Sequence, residues 1–181
     1  MKATLEKWYS ALSPRSTVLI GTVNKDGVSN AAPFSFAMPV SGKPPLVAFA
    51  SAPKRHTLAN IRATGEFTVN VPGKELLGQL WECASNFPEG VSEIKEARLT
   101  EIKVGNIKAP GIKECFAIFA CKLHSEIPAG DHVIVIGEIV ETEIRKGKIV
   151  DGKFDPYSVS PLLHIGGEDF TIPGEKLVVK I

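Results

Sequence analysis

Apolar residues recur with a period of two over much of the chain, and short polar or Gly/Pro-rich breaks separate the runs, so strands dominate the reading. Ser16–Val23 is β-branched and apolar, Asn24–Gly27 supplies turn chemistry, and Val28–Ala32 resumes an extended pattern, which predicts a hairpin. Phe34–Pro39 follows the Pro33 break, Ser41–Pro45 reads as a loop, and Leu46–Ala50 is a continuous apolar run suited to the middle of a sheet or barrel. Thr57 is placed to cap a short helix carrying Leu58, Ile61 and Arg62, with Gly65 to end it. A strand is predicted over Glu66–Pro72, then a helix over Gly73–Ala84 with Leu76, Leu77, Leu80 and Trp81 on one face. A loop over Asn86–Gly90, a short helix over Val91–Ala97 and a strand over Leu99–Val104 follow. Two long β-rich segments, Ile112–Glu126 and His132–Arg145, read as a wide hairpin around Ile127–Asp131. Lys146–Lys148 reads as a turn, and Ser160–Gly167 precedes a final segment, Lys176–Ile181.

Strands outnumber helices and do not alternate regularly with them, which argues against a doubly wound parallel sheet. The pattern predicts a mainly β fold, an antiparallel β-barrel with appended helices. No repeat or linker divides the 181 residues, so residues 1–181 are expected to form a single domain. Lys and Arg number 21 against 20 Asp and Glu, a net charge of +1 that offers no footprint for nucleic acid. No apolar run approaches the roughly 20 residues of a membrane helix, and Met1–Glu6 has no signal-peptide core, so a soluble, cytoplasmic protein without membrane partners is expected. Cys83, Cys115 and Cys121 form no C-x-x-C pair and read as buried thiols.

Two stretches concentrate the candidate chemistry. Ser51–Thr57 sets two hydroxyls, Ser51 and Thr57, and two cations, Lys54 and Arg55, against a helix start. Unpaired amide hydrogens and the helix dipole there suit a phosphate, and an Arg can hold two of its oxygens at once. A capped helix behind a solvated basic loop fits the same composition. The second stretch, Asn30–Phe36, is poor in large side chains before Phe34, so a flat aromatic ligand could lie against its main chain. A strand broken at Pro33 with Phe34 and Phe36 in the core is the plainer alternative. His132, after Asp131 at the start of an apolar strand, titrates near neutrality unless buried and could bond a ligand. No metal site is expected: six extended residues separate Cys115 from Cys121 by on the order of 20 Å. Neither H-E-x-x-H, a P-loop, G-x-S-x-G nor G-x-G-x-x-G is present, so a nicotinamide nucleotide would have to bind without a Rossmann unit.

Taken in order, Val18–Val23, Asp26-Gly27, Asn30–Ser35, Pro44–Val47, Lys54–Ile61 and Gly65–Asn70 resemble the flavin reductase-like family with an FMN-binding split barrel, including flavoredoxin-type proteins. Gly130-Asp131-His132 and Leu163–Gly167 extend the likeness, which runs from about Pro14 to Phe170. The resemblance implies a homodimeric antiparallel split β-barrel that holds FMN noncovalently near the dimer interface. It implies further that Asn30, Ala31, Ala32, Pro33, Phe34 and Ser35 lie along the isoalloxazine ring, that Ser51, Lys54, Arg55 and Thr57 take the phosphate, and that Asn70 lies close to the flavin. His132 matches a Gly-Asp-His motif set near a nicotinamide substrate. His164 and Phe170 stand where the family usually carries Arg and Tyr, which leaves the electron donor open. Two activities follow from the likeness: an NAD(P)H-dependent flavin oxidoreductase acting on small flavin or nicotinamide substrates, or an electron carrier that exchanges electrons with a redox partner protein without NAD(P)H turnover.

Overall fold

A computed structural model describes residues 5–145, 149–150 and 153–179. Seven antiparallel strands form its main sheet: β1 (Val18–Val23), β2 (Ser29–Phe34), β3 (Ala37–Gly42), β4 (Pro45–Ser51), β5 (Glu66–Val71), β6 (Ala117–Ala129) and β7 (His132–Ile144). Their order is β2-β1-β5-β6-β7-β4-β3, an open curved sheet with β2 and β3 at its two ends. A small second sheet joins Arg15–Ser16, β8 (Leu163–Gly166) and β9 (Asp169–Thr171). The helices are α1 (His56–Thr64), α2 (Leu77–Glu82) and α3 (Glu93–Glu96), and 3-10 segments span Leu5–Leu12, Lys74–Leu76 and Pro156–Ser158. Among the described residues no helix is long and apolar enough to cross a membrane.

All six residues of β1 are buried, because both faces of that strand are covered. Leu19 joins one apolar cluster with Leu80, Ile94, Val104 and Ile112, whereas its neighbour Ile20 joins a second with Phe49, Leu58, Ile61, Phe67 and Val135. The period-two geometry of a strand thus makes β1 the wall between two cores. Leu58 and Ile61 anchor α1 on the second core, and Gly65, at φ 72°, ends the helix by returning its N–H to the Ile61 carbonyl.

The predicted first hairpin is present, with Thr22 opposite Asn30 and Leu19 opposite Pro33. Pro33 does not break the strand: β2 is an end strand, so the missing N–H costs no ladder bond on an inner side. Leu46–Ala50 lies within β4, paired on both sides but second from the end of the sheet. The break expected over Ser41–Pro45 narrows to Lys43-Pro44. The wide hairpin closes tightly: Ala129 pairs with His132 and Pro128 with Val133, leaving Gly130 and Asp131 as the turn. The predicted helix over Gly73–Ala84 is a 3-10 turn followed by α2; of its expected apolar face Leu76 and Leu80 are buried, while Leu77 and Trp81 are exposed. Only Glu101–Ile102 of the strand predicted over Leu99–Val104 pairs, and α3 is shorter than the helix predicted over Val91–Ala97. The turn predicted at Lys146–Lys148 lies outside the described residues.

Candidate functional site

A cavity of about 520 Å³ opens between the end strand β2, the loop entering α1, the segment after α2, and the start of β7. Its size falls in the usual range for a small-molecule site. One wall is Asn30, Ala32, Pro33, Phe34 and Ser35, which run along β2 and just past it. The opposite rim carries Lys54, Arg55, His56 and Thr57. Cys83, Asn86 and Phe87 close a third side, Glu93 of α3 lies beside Asn30, and His132 stands at the far end with Phe36. The two stretches that hold the candidate chemistry in the sequence therefore border one space.

Three of the sequence-derived candidates are outside its lining. Ala31 has its side chain on the opposite face of β2, wholly buried in the first core. Ser51 is fully buried, and its hydroxyl donates to the Ala52 carbonyl at 3.1 Å. Asn70 is also fully buried: its Nδ2 donates to the Leu19 carbonyl at 3.0 Å and to Thr68 Oγ1 at 2.9 Å, while Oδ1 accepts the Ile112 N–H at 2.8 Å. Its amide ties β1, β5 and the chain before β6 together.

On the cationic rim Lys54, Arg55 and His56 are exposed. The residue that caps α1 is Arg55 in place of Thr57; it makes no side-chain cap bond, which leaves first-turn amide hydrogens for an outside acceptor. Thr57 is buried in the first turn and donates from Oγ1 to Asn30 Oδ1 at 3.3 Å. Thr22 donates to the same oxygen at 3.3 Å, and Asn60 Nδ2 donates to Thr22 at 3.1 Å. Asn30 in turn donates from Nδ2 to Glu93 Oε1 at 2.6 Å. This network fixes the amide of Asn30 and couples β2, α1 and α3.

Glu93 gave no signal in the sequence, because a four-residue helix has too few turns to show a periodic face. Its carboxyl is buried, and burial pushes its pKa above the ordinary carboxyl range; its own backbone N–H, the nearby His56, the Asn30 amide and the Ala31 N–H pull the other way. Burial likewise pushes the Cys83 thiol, beside Glu93 and Glu82, up to about 12, so it is no nucleophile at neutral pH.

At the far end His132 Nδ1 lies 2.7 Å from Asp131 Oδ1. The hydrogen bond and charge of His132 hold the Asp131 carboxyl below its usual range, so Asp131 is the acceptor and Nδ1 the donor. Nε2 of a neutral ring is then left as an acceptor. The ring also packs at 5.8 Å from Phe36, which has the Arg15 guanidinium 5.5 Å from its centre. Arg15 and Ser35 both reach His164 Nδ1, at 3.3 and 2.9 Å, and His164 Nε2 meets the Gly167 carbonyl at 3.1 Å. His164 is therefore absorbed in ties between the small sheet and the end of β2. No group of three or more His, Cys, Asp and Glu among the described residues could hold a metal ion.

Residues 11–173 match the family model described as the flavin reductase like domain. The chain belongs to the flavin reductase-like family. Its open antiparallel sheet is the split β-barrel, as the resemblance implied. Among relatives, this family member is 36% identical over 161 residues to a protein of Methanothermobacter thermautotrophicus, covering 86% of this chain and 76% of the other. It is 31% identical over 143 residues to a flavin reductase of Pseudomonas putida, covering 77% and 80%. Nitrilotriacetate monooxygenase component B from Bacillus cereus superposes with a TM-score of 0.90 at 28% identity, over 98% of this chain and 95% of that one.

Proposed function

We propose that the cavity binds FMN noncovalently and that the protein is an NAD(P)H-dependent flavin oxidoreductase. The observation that carries this reading is the single cavity shared by the cationic rim at Lys54–Thr57 and the slim wall Asn30–Ser35. The residues fit the ligand. Lys54, Arg55 and the open first turn of α1 supply charge and amide donors for a phosphate, and Ala32 and Pro33 let a flat ring approach the main chain of β2. The hydroxyls of Ser51 and Thr57 donate inward, so the phosphate role falls to the cations and the amides. Asn70 acts in this reading as a structural tie behind β1.

When bound, FMN supplies the two-electron redox chemistry. The chain's own residues bind, orient and shield. Phe36 and Phe87 border the cavity with apolar surface that limits water, and Asp131 holds His132 in the tautomer whose Nε2 can accept from a carboxamide N–H of a nicotinamide donor. No side chain need act as a nucleophile. The P. putida flavin reductase supports the reductase reading over the carrier.

One observation favours the alternative, an electron carrier without NAD(P)H turnover. His164, at a place where the family usually carries Arg, spends both ring nitrogens on internal bonds and offers nothing to a second nucleotide. Anaerobic addition of NADH or NADPH to the FMN-loaded protein separates the two. Bleaching of the flavin band by either donor is the expected result; no bleaching by both would leave the carrier.

Phe36, Met38 and Val40 expose apolar surface at the β3 end of the sheet, beside the His132 end of the cavity. A second copy covering this surface would form the homodimer. Light scattering at micromolar concentration is expected to give twice the 19.5 kDa chain mass, and a monomer mass would remove the dimer from the proposal.

A further inference from the structure

We propose that a ledge beside the cavity, running from Arg15 to Trp81, holds the adenylate half of a dinucleotide hydride donor, with the pyrophosphate at Arg15 and the adenine stacked on Trp81. This rests on the reductase reading and goes beyond it, because it places the half of the donor that takes no part in the chemistry on elements outside the cavity.

The small sheet builds the ledge. Arg15 stands opposite His164 and His164 opposite Phe170, so the three side chains form one row across its strands. Arg15 Nη2 donates to His164 Nδ1 at 3.3 Å, the His164 and Phe170 rings are centred 4.9 Å apart, and Trp81 of α2 continues the row 6.1 Å from Phe170, at 83° to its plane. Phe170 also packs on the first core, which anchors the row. The ledge meets the cavity along its length. Phe36 lies 5.5 Å from the Arg15 guanidinium and packs against His132, Ser35 bonds His164 at 2.9 Å, and the Trp81 carbonyl accepts the Ala84 N–H at 3.0 Å. Phe36, Ser35 and Ala84 all line the cavity.

Both ends of the row call for a ligand. Arg15 is half-buried and bonds only neutral groups, the Tyr9 carbonyl, Ser13 Oγ and His164; no carboxylate pairs with it among the described residues. A cation drawn partly out of water without a counter-charge favours an arriving anion. At the other end Trp81 is 43% exposed although Phe170 holds its ring, and a fixed, open indole is a stacking surface for a base. The order of the parts selects the ligand. A planar amide at His132, an anion at Arg15 and a second planar ring at Trp81 follow the order nicotinamide, pyrophosphate, adenine. The flavin phosphate belongs at the Lys54–Thr57 rim, so the adenylate of a flavin dinucleotide would leave the cavity there instead.

The test uses the FMN-loaded protein. ADP-ribose, which carries adenine and pyrophosphate without a nicotinamide, is titrated by calorimetry into the wild type, Trp81→Ala, Trp81→Phe and Arg15→Gln. The wild type is expected to bind it, Trp81→Ala about tenfold more weakly, the scale of one base stacked on an aromatic ring, and Trp81→Phe in between. Arg15→Gln should weaken binding and flatten its dependence on salt. Stopped-flow reduction by the faster of NADH and NADPH is then compared with reduction by reduced nicotinamide mononucleotide, which lacks the adenylate. The dinucleotide should half-saturate the wild type at a concentration about tenfold lower, and Trp81→Ala should bring it to the level of the mononucleotide. A wild type that does not bind ADP-ribose or that half-saturates equally with both donors, or an unchanged affinity in Trp81→Ala, overturns the inference; bleaching of the flavin by NADH or NADPH in the same samples leaves the reductase reading standing. Bleaching by neither overturns both. A preference for FAD over FMN that disappears in Trp81→Ala overturns the assignment to the donor and gives the ledge to the flavin's own adenylate.

Discussion

Arg55 is exposed at the cavity rim and reaches Asn86 Oδ1 at 3.5 Å, a long contact that leaves most of its guanidinium donors free for a ligand. Arg55→Ala is expected to weaken FMN binding by about 1 to 3 kcal/mol, the scale of a charged hydrogen bond, in a fluorescence titration. Unchanged affinity would take Arg55 out of the phosphate site. His132 sits at the opposite end, held by Asp131 and packed on Phe36. His132→Ala should leave FMN bound but slow its reduction by NADH or NADPH roughly tenfold, as one lost hydrogen bond to the donor would; stopped-flow rates equal to the parent's would refute the role. Residue types were readable at both ends, because cations beside a helix start and a histidine at a strand mouth are local signals. The inward turn of Ser51 and Thr57 was not, since their partners are fixed by packing.

Gly137 shows how one element constrains another. A Cβ there would stand 2.2 Å from Phe67 Cζ on β5 and 3.2 Å from the Cys121 Cβ on β6, where β6 and β7 shift register. Gly137→Ala is therefore expected to cost about 1 to 3 kcal/mol by overpacking, read as a lower urea midpoint with an unchanged slope. A variant as stable as the parent would mean that the Phe67 ring yields without cost. Most strands were legible from their alternation, and α1 from its Leu58, Ile61 and Gly65 spacing. The β6–β7 turn was misread because Pro128 looks like a breaker. β5 pairs with β6 only from Ala117 to Lys122, so Pro128 lies where that edge of β6 has no strand beside it and its missing N–H is harmless. The Gly73–Ala84 segment failed for a related reason: only Leu76 and Leu80 meet the core, so half of the apparent apolar face stays outside.

At the scale of the molecule, the buried Glu93 carboxyl makes a pH test available. Burial raises its pKa in the folded state, so between the ordinary carboxyl value and the raised one the folded protein holds a proton that the unfolded chain has released. Stability from this group is thus full at low pH and falls as pH rises through that window. Glu93→Gln cannot ionise, and its stability relative to the parent, from urea unfolding between pH 4 and 8, should rise with pH; a difference constant across that range would show that the carboxyl ionises as freely when buried as when exposed. What the amino-acid order by itself determined was the class of fold, mainly β and antiparallel, and the two local chemistries at Asn30–Phe36 and Ser51–Thr57, because alternation, turn residues and clustered cations act over a few neighbours. What only the tertiary structure decided was their meeting in one cavity with Glu93 and His132, and the withdrawal of Ala31, Ser51 and Asn70 from it. Those outcomes depend on strand order and on which face each strand presents, contacts between residues dozens of positions apart that no local pattern encodes.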